Sequence, residues 1–227
     1  MNTLIWRQKL AEHAIAAPHD HAHQFDDKAQ QAEAVSLGMW AFLVQEFLFF
    51  GGLFMSYTVY RSYYPQAFVE GSHHLNILLG GFNTVVLIAS SLTMAMAVHS
   101  AQESKRAQLV FFLLATLALG SVFLGVKVIE YSDKFHDHLI PGFNFFWDTP
   151  NARQVQIFYS FYFVMTGMHA LDMIIGAIVI TPLIFMAVRG RCSASYYAPI
   201  ETFGLYWHFV DIVWIFLFPL LYLIGRH

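Results

Sequence analysis

Five long apolar stretches constrain this chain more than any other feature of its sequence. They run roughly over residues 36–60, 76–98, 108–131, 154–187 and 202–225. Each is near or above the ~20 residues that cross a ~30 Å hydrocarbon core. Because lipid offers the backbone no hydrogen-bond partners, each stretch is predicted to be helical. The sequence therefore predicts an all-α, multi-pass membrane bundle of five transmembrane helices over residues 35–227, after a polar, His-rich arm over residues 1–34.

Composition supports lipid as the surrounding solvent. Hydrophobic residues make up 57% of the chain and charged residues 12%, whereas a soluble domain usually carries about 25% charged residues. The net charge of −3 comes with no basic patch, so a nucleic-acid partner is not expected. The single cysteine, Cys192, excludes an internal disulfide and any metal site that needs two cysteines.

The basic residues indicate an orientation. Seven of the 12 Lys and Arg residues fall on the arm and on the second and fourth connections between spans. Because cytoplasmic segments carry an excess of Lys and Arg, the N-terminus is expected in the cytoplasm and the C-terminus outside.

Glu46 is the first ionisable residue expected deep in the membrane. It lies ten residues past Ser36, about 15 Å into the first span at ~1.5 Å per residue. A carboxyl group there is expected to be protonated, because burial disfavours its charged form. It is interpreted either as a structural acid bonded to a neighbouring helix or lipid, or as a proton carrier.

Two further spans carry intramembrane polar residues. His169 and Asp172 are three apart on one face of the fourth span, and they could pair with each other or bond to another helix. In the fifth span Glu201, Trp207, His208 and Asp211 recur at helical spacing. That face is interpreted either as docked on a protein partner or as packed inside the five-helix bundle, because lipid would not tolerate its charges.

Other charged groups are assigned to the edges of the bundle. Lys127 and Glu130, three apart near the end of the third span, are expected to form an interfacial pair that reaches lipid headgroups. The arm carries four histidines whose possible roles are metal binding, proton buffering or none beyond those of a solvated tail. These are His13, His19, His21 and His23. No catalytic residue, metal site or haem-attachment motif stands out.

The last span carries a family resemblance. Residues 206–218 read Tyr-Trp-His-Phe-Val-Asp-Ile-Val-Trp-Ile-Phe-Leu-Phe, which closely resembles the final helix of subunit III of the haem-copper oxidases in its cytochrome c oxidase form. Earlier segments resemble the same family in the same order, so the resemblance covers about residues 35–225. They are EFLFFGG (46–52), SSLTMAMAVHS (90–100), Glu-Tyr (130–131) and TGMHALDMIIG (166–176).

The resemblance implies an accessory role in a bacterial-type inner membrane. In that family the complex reduces O₂ with electrons from cytochrome c and pumps protons, with haem and copper in subunits I and II. Subunit III carries no redox centre, packs on the catalytic subunit, holds structural phospholipids and supports proton uptake. Glu46 would then line a lipid cleft. By position alone, Arg189 and Arg191 would meet phosphates on the cytoplasmic side. Membership of a larger respiratory supercomplex is left open.

The chain also departs from the family's common form. That form has seven spans, of which the five here resemble the last five, and Asp172 replaces the second His of the fourth-span motif. Five-span versions also occur in the family, including in quinol oxidases, so a quinol oxidase or a nitric-oxide-reducing complex remains a second hypothesis. A third, of another class, is a stand-alone transporter or proton channel, with Glu46 as its best support.

Overall fold

The computed structural model describes residues 28–142, 145–192 and 197–225, and within these ranges it contains six α-helices and no strand. The five longest helices are all long and apolar enough to cross a membrane, so the predicted all-α fold with five spans is confirmed. In chain order the helices are α1 (Lys28–Tyr63), α2 (Pro65–His73), α3 (Ile77–Gln102), α4 (Arg106–His136), α5 (Ala152–Val188) and α6 (Ala198–Tyr222).

The helix bounds differ from the expected spans in three places. Helix α1 begins at Lys28, before the boundary expected between arm and membrane domain, because residues 28–34 (KAQQAEA) are good helix formers although they are polar. Helix α2 forms within residues 61–75, a region expected to be only a connection. Helix α4 continues to His136, beyond the apolar stretch that ends near residue 131.

The chain divides into two compact units, residues 1–42 and 43–227, and every contact described below lies within the second unit. There α3 packs on α4 and α6, and α5 packs on the same two helices. The four helices therefore form a ring of neighbours in which α4 and α6 lie opposite each other. The side chains that point into this ring form the core of the bundle.

Local signals explain where several helices begin and end. The Asn76 side chain accepts hydrogen bonds from the backbone N–H groups of Leu78 and Leu79, at 3.0 and 3.3 Å, and so caps α3. Pro65 lies at the start of α2, where its missing N–H costs nothing. Gly190 follows α5 with φ of 70°, the left-handed conformation that commonly ends a helix.

Trp207 of α6 fills the centre of the ring because two facing helices carry glycine there. The ring of Trp207 is 1% exposed. A Cβ atom added to Gly120 of α4 would lie 2.9 Å from Trp207 Cη2, and one added to Gly176 of α5 would lie 2.8 Å from Trp207 Cζ3. The indole therefore depends on two glycines to pack between α4 and α5.

The second part of α1 joins the bundle through aromatic contacts. Tyr57 is fully buried, and its hydroxyl donates a 2.5 Å hydrogen bond to the carbonyl of Leu220 in α6. Its ring packs edge-on against Phe68 of α2 and Phe161 of α5. Tyr57 thus connects α1 to three other helices at one end of the bundle.

The glycines under Trp207 can be tested by substitution. We expect Gly120→Ala and Gly176→Ala each to destabilise the protein by roughly 1–3 kcal/mol, because the fully packed indole cannot move away from the new methyl group. Gly125→Ala in α4 is the matched control, since a Cβ there meets nothing within 4 Å. Thermal denaturation in detergent measures the effect, and equal stability of all three variants would contradict this packing.

Candidate functional site

The two most deeply buried charged side chains form a triad with a tyrosine, between α4 and α6. Lys127 Nζ donates hydrogen bonds to Glu130 Oε2 and to the Tyr222 hydroxyl oxygen, each at 2.8 Å. The Tyr222 hydroxyl in turn donates to Glu130 Oε1 at 2.6 Å. Lys127 and Glu130 are each 2% exposed, and Tyr222 is fully buried. The triad therefore closes a hydrogen-bonded ring across the centre of the bundle.

Aromatic faces complete the surroundings of the Lys127 ammonium group. Its nitrogen lies 4.7 Å from the ring centroid of Trp214 and 5.4 Å from those of Tyr162 and Tyr222. Such faces attract a cation, most strongly where water is excluded. The ammonium group is thus compensated by a carboxylate, a hydroxyl and π systems together.

This arrangement corrects the sequence-based assignment of Lys127 and Glu130. The two side chains do pair, but the expected contact with lipid headgroups is wrong, because both point into the ring of helices. Position near the end of an apolar stretch fixes a residue's depth along the helix, but it does not fix the face on which the residue lies.

His169 and Asp172 do not pair with each other, which was one of the two possibilities that the sequence left open. His169 is fully buried, packs edge-on against Phe123 and lies 5.2 Å from the Trp214 ring, and neither of its ring nitrogens has a hydrogen-bond partner within the described residues. Asp172 is 8% exposed, and its backbone carbonyl accepts a 2.7 Å hydrogen bond from the Tyr206 hydroxyl of α6. His169 therefore lies in an aromatic environment, whereas Asp172, one helical turn later, lies in a polar one.

Glu46 belongs to that second, polar environment. It is half-buried in the middle of the first span, which runs from Glu33 to Tyr63. Its carboxyl group is within electrostatic reach of Asp172 and of Tyr206. Glu46 of α1 and Asp172 of α5 are thus close enough for their carboxyl groups to interact electrostatically.

The polar residues of α6 divide between two environments. The Trp207 Nε1–H donates to Ser90 Oγ at 3.2 Å, and His208 Nδ1 lies 2.7 Å from Ser91 Oγ. Asp211 is 3% exposed. Trp207 and Asp211 are thus buried inside the bundle, and His208, which is only partly buried, bonds to α3 of the same chain. Glu201, two turns before His208, does not pack with them, because it is exposed in the first turn of α6, where its negative charge interacts favourably with the helix dipole.

Small hydroxyl residues of α3 are the site residues that sequence reasoning missed. Ser90 and Ser91 contact Trp207 and His208, and Thr84 accepts a 3.1 Å hydrogen bond from Trp214 Nε1. A signal was present in the sequence. The two hydroxyls that bond to the indoles, Thr84 and Ser90, are six residues apart, and Trp207 and Trp214 are seven apart, so each pair is separated by about two helical turns.

Basic side chains gather at the membrane end where α5 meets α6. Arg189 and Arg191 are exposed, and Arg106 at the start of α4 lies beside Gly190 of the same loop. Their expected contact with phosphates stays a prediction. Among the described residues no three metal-binding side chains converge. His13, His19, His21 and His23 lie outside the described residues.

The fold and these buried contacts define a class: a multi-pass helical membrane protein whose intramembrane polar groups mostly hold its helices together. A family model described as cytochrome c oxidase subunit III matches residues 3–226. The chain belongs to this family, and it is a subunit III of the haem-copper oxidase complexes, which are oxidoreductases. Membership implies association with other oxidase subunits.

Individual relatives include more than one kind of oxidase. The chain is 32% identical over 208 residues to cytochrome c oxidase subunit 3 of Thermostichus vulcanus, covering 91% of this chain and 92% of the relative. It is 35% identical to that of Synechocystis sp., over 82% and 74% of the two chains. It is also 31% identical to a probable quinol oxidase subunit 3 of Staphylococcus epidermidis, over 91% and 96%.

The buried triad predicts strong dependence on each partner. We expect Glu130→Gln to destabilise the protein by roughly 3–5 kcal/mol, because it leaves the Lys127 ammonium group buried without a carboxylate. Replacing all three groups together (Lys127→Met, Glu130→Leu, Tyr222→Phe) is expected to cost much less, since no unpaired charge remains. Thermal denaturation of the purified protein in detergent measures both effects.

An exposed ion pair in the connection between α3 and α4 provides the control. Lys105 Nζ lies 2.7 Å from Glu103 Oε2, and both side chains are at least 40% exposed. Lys105→Met should change stability by less than about 1 kcal/mol. If Glu130→Gln were as mild as Lys105→Met, the triad would not be the buried contact described here.

Proposed function

We propose that this chain is the accessory subunit III of a cytochrome c oxidase in an aerobic respiratory chain, with no redox centre of its own. Haem and copper lie in subunits I and II in this proposal. The chain stabilises the catalytic subunit, holds structural phospholipids, and supports proton uptake during O₂ reduction and proton pumping.

This proposal rests on the observation that the charged and polar groups inside the bundle bond to one another. Lys127, Glu130 and Tyr222 bond to one another across the bundle, and Trp207, Trp214 and His208 contact hydroxyls of α3. These groups are engaged in holding helices together. A rigid bundle of that kind suits a protein that supports a catalytic neighbour.

Cytochrome c as the electron donor is supported by two features. Two relatives of cytochrome c oxidase type match at 32% and 35% identity. In addition, residues 206–218 closely resemble the final helix of the cytochrome c oxidase form. A quinol oxidase is the second candidate, because the chain aligns with 96% of the probable quinol oxidase subunit from Staphylococcus epidermidis.

Purification of the complex through an affinity tag on this chain tests the proposal. We expect a haem-bearing large subunit to co-purify, a subunit II with a copper-binding loop, and rapid O₂-dependent oxidation of reduced cytochrome c. Oxidation of quinol with no reaction of cytochrome c would establish the second candidate instead. Reduction of nitric oxide as the main activity, or purification of a stable chain without any haem protein, would overturn both.

Substitution of Glu46 tests its proposed contact with lipid. We expect Glu46→Gln to retain assembly and most of the initial rate of O₂ reduction, because a residue that lines a lipid cleft does not touch the redox centres. The initial rate and its decline over prolonged turnover should both be measured, with haem content as the control for assembly. Complete loss of O₂ reduction in a fully assembled complex would contradict this role.

Orientation can be tested with single cysteines. Burial raises the pKa of the native Cys192 thiol, so Cys192 reacts slowly and is first replaced by serine. In that background Arg191→Cys and Asp148→Cys place thiols at exposed positions of two different loops. With the N-terminus in the cytoplasm, an impermeant maleimide added outside should label position 148 and spare position 191. The reverse pattern would invert the proposed topology.

A further inference from the structure

The imidazole ring of His169 is fully buried inside the bundle, beside two aromatic side chains. Its centroid lies 5.2 Å from that of the Phe123 ring, which meets it edge-on, and 5.2 Å from that of the Trp214 ring. Neither ring nitrogen has a hydrogen-bond partner within the described residues. A neutral imidazole carries one N–H donor and one acceptor nitrogen. Because a buried polar group without a partner is costly, His169 points to a bound molecule that supplies the missing hydrogen bonds.

Polar groups beside His169 are engaged with other partners. The Trp214 Nε1–H donates to Thr84 Oγ1 at 3.1 Å. Thr166 lies about one turn before His169 on α5, and its hydroxyl donates to a backbone carbonyl of the same helix at 2.6 Å. The Thr166 oxygen also lies 2.6 Å from the Tyr131 hydroxyl. Neither Trp214 nor Thr166 is therefore free to bond to the imidazole.

The ammonium group of Lys127 has an unused donor on the same side of the bundle core. It carries three N–H bonds, of which two reach Glu130 and Tyr222. The third has no acceptor atom among the described residues. Lys127 Nζ lies 4.7 Å from the ring centroid of Trp214, the indole that also contacts His169. The ammonium and imidazole groups interact electrostatically, but no hydrogen bond joins them directly.

Charge and access limit what can join these two groups. The carboxylate of Glu130 balances the charge of Lys127, so the site has no net charge to attract an anion. Lys127 is 2% exposed and His169 is fully buried, so a lipid headgroup or a neighbouring subunit does not reach their polar atoms. What fits is a small neutral molecule that both accepts and donates hydrogen bonds. Water has these properties, and buried waters typically bond to polar groups that lack protein partners.

We propose that a water molecule is bound inside the bundle, between the ammonium group of Lys127 and the imidazole ring of His169. The water accepts the third N–H bond of Lys127 and donates to the unprotonated ring nitrogen of His169. Such bridges commonly connect polar groups that are too far apart to bond directly. The bridge joins α5 to the triad between α4 and α6, so that one polar network connects three helices of the ring. The site lies within this chain and does not depend on which oxidase the chain serves.

Solid-state NMR of the full chain in lipid bilayers detects the water directly. With histidine labelled by ¹⁵N, we expect magnetisation to pass from bound water to the unprotonated ring nitrogen of His169. The signal is assigned by its loss in His169→Phe. The side chain of His99 is 60% exposed, so transfer from water to its ring is the positive control.

A pair of substitutions tests the connection between His169 and Lys127. In the native chain, His169→Phe is expected to lower the unfolding temperature by roughly 2–4 °C, because the bridge is lost and a Lys127 donor is left without an acceptor. In the background Lys127→Met, Glu130→Leu, Tyr222→Phe, the same change should cause no decrease. The effect of the larger ring on packing is common to both backgrounds, so the difference between them measures the bridge.

The results that would overturn the proposal are distinct. Transfer from water to His99 but not to His169 would do so. Magnetisation that reaches His169 only from the Lys127 ammonium protons would show a direct hydrogen bond instead of a water bridge. An equal change in unfolding temperature in both backgrounds would show that His169 is not connected to Lys127. If the triple variant fails to fold, the NMR comparison of the native chain with His169→Phe decides the question.

Discussion

A charge that is buried in a membrane must find its partner within the protein, and in this chain the rest of the bundle is arranged around that requirement. The Lys127 ammonium group lies where neither bulk water nor a headgroup reaches it, and it is compensated by Glu130 and Tyr222. Breaking such a pair leaves an uncompensated charge, which costs several kcal/mol. The triad therefore fixes the relative rotation and height of α4 and α6, two opposite helices of the ring.

Close packing around Trp207 adds to the constraint that the triad sets. With α4 and α6 fixed, Trp207 enters the space above Gly120 and Gly176, and its N–H group reaches Ser90 of α3. Large and small residues thus alternate across the ring, and the two buried indoles of α6, Trp207 and Trp214, each donate to a hydroxyl of α3. Close packing of this kind is a main source of helix association in lipid, where the hydrophobic effect between helices is absent.

Sequence alone was sufficient for the spans and the family, because apolar length is a strong signal and the last helix has a distinctive order of residues. It was insufficient for the faces of the helices. Lys127 and Glu130 were assigned to the membrane surface, since spacing along one helix does not show which neighbouring helix lies beside a residue. Tyr222, the third member of the triad, was not among the expected site residues, although it is fully buried. Tyr222 is 92 residues from Glu130 and 95 from Lys127 along the chain, so no local sequence pattern could predict these contacts.

The family membership and the internal bonding of the bundle lead to one account: an accessory oxidase subunit whose buried charges hold it rigid beside a catalytic partner. Cryo-electron microscopy of the complex, purified from its native membrane, tests this most directly. The account predicts this chain beside a haem-bearing subunit, with continuous density joining Lys127, Glu130 and Tyr222 inside the bundle. Haem-bearing particles without the chain, or Lys127 and Glu130 directed into the surrounding lipid, would contradict it.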